Sequence, residues 1–471
     1  MPIAPDYRPA PVHAALGDAF YDVVAPARFP EHRLRFRNQE AASRIGLGGL
    51  TDAEWEAHFA RFEPLPENLP RPLALRYHGH QFRSYNPQLG DGRGFLFAQL
   101  HDAVDGRLLD LGTKGSGQTP WSRGGDGRLT LKGGVREVLA TAMLEACGVP
   151  TSRSLSLFET GEPLWRGDEP SPTRSSVLVR LSHSHVRFGT FQRLAYEGEV
   201  ANLGRLVEHC IAYYLPEARG AGDAPFALLR AVTIRSARLA AAWMAAGFVH
   251  GVLNTDNMNV TGESFDYGPY RFLPHCDPTF TAAYFDETGL YAYGRQPAVV
   301  QWNCERLADA LAPLGTRAQL APALGAYAPA FREALPAALL ARLGLCARNA
   351  DDDALLVESL FAWLGTRRVG WDRFFFDWWG GAASAPRAAA SPAADAYAEP
   401  AFAPLRARLE AHAPAAPARL ALPYFRAAAP CTLLVDEIEA LWAPIAAVDD
   451  WGGFHAKLDA IAARREATTL D

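Results

Sequence analysis

The sequence has no C-x-x-C pair. Its six cysteines, Cys147, Cys210, Cys276, Cys304, Cys346 and Cys431, are scattered along 471 residues. That spacing argues against a zinc cluster or a disulfide framework and suits a reducing compartment. Positive charge is not in excess either: the formal net charge is −6. Long-range attraction for nucleic acid or anionic lipid is therefore missing, and any phosphate site must rest on a few placed cations. The longest uncharged apolar run, 239–253, is Ala- and Gly-rich and contains His250. It falls short of the roughly 18–20 residues that a membrane-spanning helix needs. The opening Met1-Pro-Ile-Ala-Pro-Asp-Tyr carries an early acid and two prolines, where a signal peptide has a basic start and an apolar run. The P-loop pattern and the dinucleotide-binding glycine fingerprint are both absent. Together these absences predict a soluble, cytoplasmic protein that binds neither nucleic acid nor membrane.

What is present is ordinary globular composition, 49% hydrophobic and 21% charged. Residues 1–70 read as an N-terminal extension of helical fragments broken by proline, with Thr51 a candidate N-cap. From 71 to about 190 the texture is Gly-rich and strand-like. Gly94-Phe-Leu-Phe-Ala-Gln-Leu and Arg107-Leu-Leu-Asp-Leu-Gly flank Asp105-Gly106, which predicts a hairpin. A helix is expected over 132–147, ended by Gly148 and Pro150, and strands over 154–158 and 175–181. Residues 191–379 read as mainly helical, with a long Ala-rich helix over 228–246. The Ala/Pro-rich stretch 380–420 reads as a flexible linker or insertion with a short helix at 405–412, and 421–471 as a helical segment. Strands first and helices later predict an α+β, two-lobed enzyme with its site between the lobes.

The chemistry-bearing residues follow that order. His250, Asn257 and Asp266 keep the spacing of a kinase loop: a His, a metal-binding Asn seven residues on, then an acid in a Phe265-Asp266-Tyr-Gly268 turn. Asn257 and Asp266 offer oxygen ligands of the kind that Mg²⁺ prefers. Where a kinase places its catalytic Asp, two residues after the His, this chain has Val252; the available carboxylate is Asp256. Turn-forming Asn and Asp in a plain loop would look similar. Upstream, Lys114 and Glu137 fit the strand lysine and helix glutamate that pair beside nucleotide phosphates. The glycine clusters Gly90-Asp-Gly92-Arg93-Gly94, Gly115-Ser-Gly117 and Arg123-Gly-Gly-Asp126-Gly127-Arg128 would let backbone N–H groups approach phosphates, or are hairpin turns. Arg180 and Arg187 are a possible triphosphate clamp or surface charges. The pairs His78/His80 and His183/His185 lack an evident third ligand for zinc, so structural or orienting roles are expected.

Tyr77-His-Gly-His-Gln-Phe, Gln88-Leu-Gly-Asp-Gly-Arg-Gly94, Lys114-Gly-Ser-Gly-Gln-Thr-Pro-Trp-Ser-Arg-Gly-Gly-Asp-Gly-Arg128, His250-Gly-Val-Leu-Asn-Thr-Asp-Asn257 and Asp266-Tyr-Gly-Pro269 resemble the selenoprotein O (YdiU) family over residues 70–310. The resemblance implies a protein-kinase-like fold, β-rich N-lobe before helical C-lobe, with helical segments at both ends. It implies ATP bound in flipped orientation and AMP transfer to Ser, Thr or Tyr hydroxyls of proteins, with Mg²⁺ or Mn²⁺. Carried over, Asp256 is the catalytic base, and Asn257 and Asp266 are metal ligands. Lys114 and Glu137 form the ion pair; Gly90, Gly92, Arg93, Asp126, Gly127, Arg180, Arg187 and Asp266 are nucleotide contacts. The alternatives are a γ-phosphate kinase, a nucleotide-binding pseudokinase scaffold, and UMP transfer from UTP. Family members often carry a Cys or selenocysteine near the C-terminus. This chain ends Ala467-Thr-Thr-Leu-Asp471, so regulation by a terminal thiol is not expected.

Overall fold

The computed structural model describes residues 4–167 and 169–470; the first three residues of the signal-peptide reading and the final Asp471 lie outside them. Twelve strands are needed to place the site: β1 (Tyr21–Val23), β2 (Arg33–Arg37), β3 (Leu73–Leu75), β4 (Gly79–Gln81), β5 (Ser84–Asn86), β6 (Leu96–His101), β7 (Leu108–Lys114), β8 (Leu129–Thr130), β9 (Arg153–Leu164), β10 (Thr173–Ser182), β11 (Phe248–Val249) and β12 (Arg271–Phe272). One antiparallel sheet runs β1-β3-β6-β7-β10-β9-β2, with β8 beside β10. The expected hairpin is β6–β7, in register Leu100↔Leu109. Its turn closes because the Asp105 carboxylate accepts from Arg107 N and Gly106 takes a φ of 74°, the left-handed value that glycine adopts without strain.

Residues 4–70 hold the expected helical fragments and more besides. They supply both edge strands of the sheet: β1 pairs with β3 and β2 with β9. They also carry α1 (Gln39–Arg44) and α2 (Asp52–Phe59), the latter begun by a Thr51/Glu54 capping box. Trp55 and Phe59 of α2 pack with Phe97, Leu109, Leu111, Val177 and Val179 on one face of the sheet. The other face meets α3 (Leu131–Ala146), whose Val135, Val138 and Leu139 join Leu157 and Leu178.

The chain then becomes helical: α4 (Phe188–Tyr196), α5 (Val200–Tyr213), α6 (Ala224–Ala246) and α7 (Gln296–Leu311). α6 starts at an Asp223 cap and stops at Gly247, φ 65°. One core continues from α3 through α6 and α7 to Phe454 and Ile461 of the downstream helix Gly452–Thr468. That helix packs on α3. Among the described residues no helix is long and apolar enough to cross a membrane.

The 380–420 stretch, expected to be a flexible linker or insertion with a short helix at 405–412, holds that helix at Ala403–Ala411 but is packed rather than flexible. It forms short helices at Ala385–Ala389, Ala394–Ala398 and Ala403–Ala411. Tyr397, Phe402, Leu405 and Leu409 are buried against Trp363 and Trp378 in a second helical core. The Ala/Pro composition hid four large apolar side chains that hold the segment down.

Candidate active site

β7 ends at Lys114, which puts its amine between a helix and a distant loop. Nζ donates to Glu137 Oε2 at 2.6 Å and to Asp266 Oδ1 at 2.7 Å. Glu137 stands on the sheet-facing side of α3 and is fully buried. Arg180, from β10, lies 3.3 Å from both Glu137 Oε1 and Asp266 Oδ1. Arg187 precedes α4; its Nη1 lies 3.3 Å from Asp266 Oδ2, and its Nη2 lies 3.2 Å from Asp91 Oδ1. Rings stack on its guanidinium, Tyr77 at 4.4 Å and Phe265 at 4.8 Å. Three cations and three carboxylates thus interlock, so removing one member leaves an uncompensated charge.

The loop between β11 and β12 carries the remaining acids. The two short strands pair with each other, Phe248↔Phe272, and so fix both ends of the loop. Between Asp256 and Asp266 the chain forms no hairpin of its own: Asn259 bridges to Arg187 and Ser264 to Thr151. Asp266 itself has φ 66°, a left-handed value that Asp tolerates better than most side chains. A turn of 3-10 helix, Thr255–Asn257, presents Asp256 and Asn257. Arg187 Nη1 donates to Asp256 O at 2.8 Å. Asn257 Nδ2 donates to Val252 O, which leaves the side chain's Oδ1 for another partner. His250 ties the loop's two ends through Nε2 and Phe265 O, 3.1 Å apart.

The β4–β5 hairpin pins this turn from outside. His80 N donates to Thr255 Oγ1 at 2.7 Å, Thr255 Oγ1 donates to Gln192, and Gln192 Nε2 lies 2.8 Å from His80 Nδ1. His80 is thus an anchor for the acid-bearing turn. His185 lies 3.6 Å from buried Asp110, and His183 N donates to Glu263. Among the described residues no group of three His, Cys, Asp or Glu is arranged to hold a metal ion.

The glycine clusters close the roof. Trp121 packs so tightly on Gly90 that a Cβ there would lie 2.4 Å from the indole. Gly127, φ 69°, lies against the Gly117 backbone, where a Cβ would come within 2.3 Å. Ser122 Oγ donates to Gly92 O, and Thr119 Oγ1 to Asp91 O, so the two glycine loops are stitched together. Asp126 accepts from Arg166 at 2.8 Å at the outer rim. Gly90, Gly92, Arg93, Lys114, Asp126, Gly127, Arg180, Arg187, Asp256, Asn257 and Asp266 all line one cavity of about 630 Å³. Glu137 stands behind Lys114. That volume suits a nucleotide-sized ligand.

Two acids in this cavity are driven apart. Burial raises the Asp256 carboxyl to about 6; Arg187 opposes the shift and the Asp266 charge adds to it. Asp256 Oδ1 is buried without a hydrogen-bond partner. Burial acts the same way on Asp266, but Lys114, Arg180 and Arg187 together outweigh it and hold that carboxyl well below the usual range. One acid is poised to take a proton near neutral pH, and the other stays ionised.

Several contributors escaped the sequence reading. Asp91, the acid between Gly90 and Gly92, holds Arg187. Tyr77 stacks on the same arginine, Arg166 holds Asp126, and Trp121 anchors the roof through Nε1 to Asp22 at 2.9 Å. Asp91, Tyr77 and Trp121 lie inside the family-like motifs, the one signal the sequence holds for them.

A family model described as protein adenylyltransferase SelO matches residues 4–462. The chain is 48% identical over 461 residues to a protein nucleotidyltransferase YdiU of Gloeobacter violaceus, covering 96% of this chain and 93% of that one. It is 52% identical over 347 residues to a protein of the same name from Synechocystis, covering 72% of each. A Pseudomonas putida protein of that name is 40% identical over 365 residues, 77% of this chain and 74% of its own.

Proposed function

The chain belongs to the SelO family of protein adenylyltransferases, and on that premise we propose that it transfers AMP from ATP to Ser, Thr or Tyr hydroxyls of proteins, with Mg²⁺ or Mn²⁺ in the site. We read the sheet with α3 as the N-lobe of a kinase-like fold and the helices from α4 onward as its C-lobe. The reaction then occurs at their seam, in the cytoplasm.

The observation that carries this reading is the pair of unlike acids in one cavity. Asp256 is buried, has an unpartnered oxygen and is raised to about 6; Asp266 is clamped by three cations. In the reaction, Lys114, Arg180 and Arg187 bind and orient the polyphosphate, with its γ end on the basic floor and its α-phosphate toward Asp256. Asp256 accepts the hydroxyl proton as the hydroxyl oxygen bonds to the α-phosphorus. The bond from that phosphorus to the β-bridging oxygen breaks, and pyrophosphate leaves. Most of the rate comes from positioning and from charge placed where it develops.

Asn257 Oδ1 and the Asp266 carboxylate fit a hard divalent ion, which typically takes one or two protein oxygens and completes its shell with phosphate and water. Such an ion, when bound, neutralises phosphate charge.

Intact-mass spectrometry after incubation with ATP tests the proposal. An AMP-sized addition, with label retained from the α-phosphate, is expected. A phosphate-sized addition labelled from the γ position would replace it with a kinase reading, and a UTP arm separates UMP transfer from AMP transfer.

A further inference from the structure

Beside Asp256 the surface carries an apolar feature that the nucleotide does not need. Phe82 is 39% exposed, Phe285 45% and Tyr284 85%. Their rings touch in a row: Phe82–Phe285 centroids lie 6.0 Å apart and Tyr284–Phe285 centroids 5.1 Å. Phe82 also rests on the buried ring of Tyr291, 4.9 Å away. Contiguous exposed aromatics of this kind mark interaction surfaces, because leaving them in water is unfavourable.

Both segments that present the ridge are built to hold it out. Phe82 and Arg83 form the tip of the β4–β5 hairpin with φ of 49° and 65°. Two consecutive left-handed residues normally call for Asn and Gly, so a bulky aromatic there is held against its own preference. The strain is fixed by Phe82 N, which donates to Asn254 Oδ1 at 3.2 Å and to Tyr291 Oη at 3.1 Å. On the other segment, buried Asp286 accepts from Leu290 N and Tyr291 N, each at 2.8 Å, and locks the turn behind Tyr284 and Phe285. The ridge is continuous with the cavity wall: Gln81, Val252 and Asn254 line the cavity, and Asn254 is two residues from Asp256.

We infer that the ridge of Phe82, Tyr284 and Phe285 docks the acceptor protein, gripping an apolar side chain next to the hydroxyl residue that enters toward Asp256. The inference rests on the transfer reading above and adds to it a preference for acceptors. A hydroxyl that must reach a buried carboxylate arrives on a chain that crosses the rim at this point, and aromatic anchors are the side chains that supply most of the energy at such contacts. The occupant is an extended segment of a protein substrate with Leu, Ile, Phe or Met adjacent to its Ser, Thr or Tyr.

The test is an array of Ser and Thr peptides flanked either by Leu and Phe or by Gly and Asp, incubated with ATP labelled at the α-phosphate. The wild-type chain is expected to label the apolar-flanked set at least about fivefold more strongly, a modest margin for one aromatic anchor site. The Tyr284→Ser/Phe285→Ser variant, and separately Phe82→Asn, which keeps a residue tolerant of the left-handed turn, should reduce that margin below about twofold, as loss of an anchor predicts. Affinity for a fluorescent ATP analogue should be unchanged in both. Labelling without flank preference in the wild type, or a preference intact in the variants, overturns the inference and leaves AMP transfer standing. Binding to phosphatidylglycerol vesicles that the variants lose, with peptide preference unaltered, overturns it in favour of a lipid contact. If the wild type labels no peptide and no lysate protein, the transfer reading falls and this inference falls with it.

Discussion

The Nζ of Lys114 lies 2.7 Å from Oδ1 of Asp266, a residue 152 positions further along the chain. That contact joins the last residue of a sheet strand to the loop between two short strands of the helical region. It sets the floor of the cavity, because Glu137, Arg180 and Arg187 are all organised around the same two groups.

Replacing Asp266 with Ala should reduce label transfer from α-labelled ATP by about 100-fold or more, the scale of losing one preorganised charge in a site. The same variant leaves Lys114, Arg180 and Arg187 facing one another. Its melting temperature should therefore fall, and ATP, by bringing phosphate charge, should restore more of it than in the wild type.

Asp256 predicts a pH dependence. Its carboxyl is protonated below about 6 and charged above, so kcat/KM should rise through that pH and level off beyond it. The linkage has the opposite sign for stability. Between the ordinary carboxyl value and about 6 the folded state holds a proton that the unfolded state has lost, so stability falls as pH rises across that window. Asp256→Asn should be inactive yet more stable than the wild type at pH 8, by about 1–3 kcal/mol, the free energy of a shift of this size allowing for relaxation. The gain should shrink toward pH 4; urea unfolding at both pH values measures it.

Asp372 is buried with Arg342 at 2.9 Å and Arg464 at 2.7 Å. Arg464→Ala removes one of the two cations that hold this carboxylate ionised. Destabilisation of about 3–5 kcal/mol is expected, as for a broken buried ion pair, read from denaturant midpoints.

Phe402 is fully buried. Phe402→Ala should cost about 3–5 kcal/mol as a cavity in the second helical core, whereas a residue in a flexible linker would cost nothing measurable. Thermal unfolding distinguishes the two.

Much of the site was legible in the sequence because its residues sit in contiguous runs: a Lys after an alternating strand, a Glu in the following helix, and Asp256, Asn257 and Asp266 in a polar loop after a long helix. The hairpin at Asp105-Gly106, the cap at Thr51 and the helix end at Gly148 were legible because each rests on local chemistry. Long-range pairing was not. β1 and β2 are short, their partners lie far away at Leu75 and Phe158, and nothing local distinguishes them from the loops around them. Composition misled over 380–420, where Ala and Pro dominate by number while Tyr397, Phe402, Leu405 and Leu409 decide the packing. His80 carried a metal-like spacing, yet its role is a backbone and ring contact to Thr255 and Gln192 that no spacing rule encodes.

The helix Gly452–Thr468 has a consequence for how the protein is made. Its Arg465 bonds Glu145 of α3 across 320 residues, and also Glu40 of α1. A ribosome adding about 5–20 residues per second needs tens of seconds between the two partners. During that interval α3, and with it Glu137, lacks its outer support. Nascent chains are then expected to stay catalytically silent until this helix has left the ribosome and packed on α3.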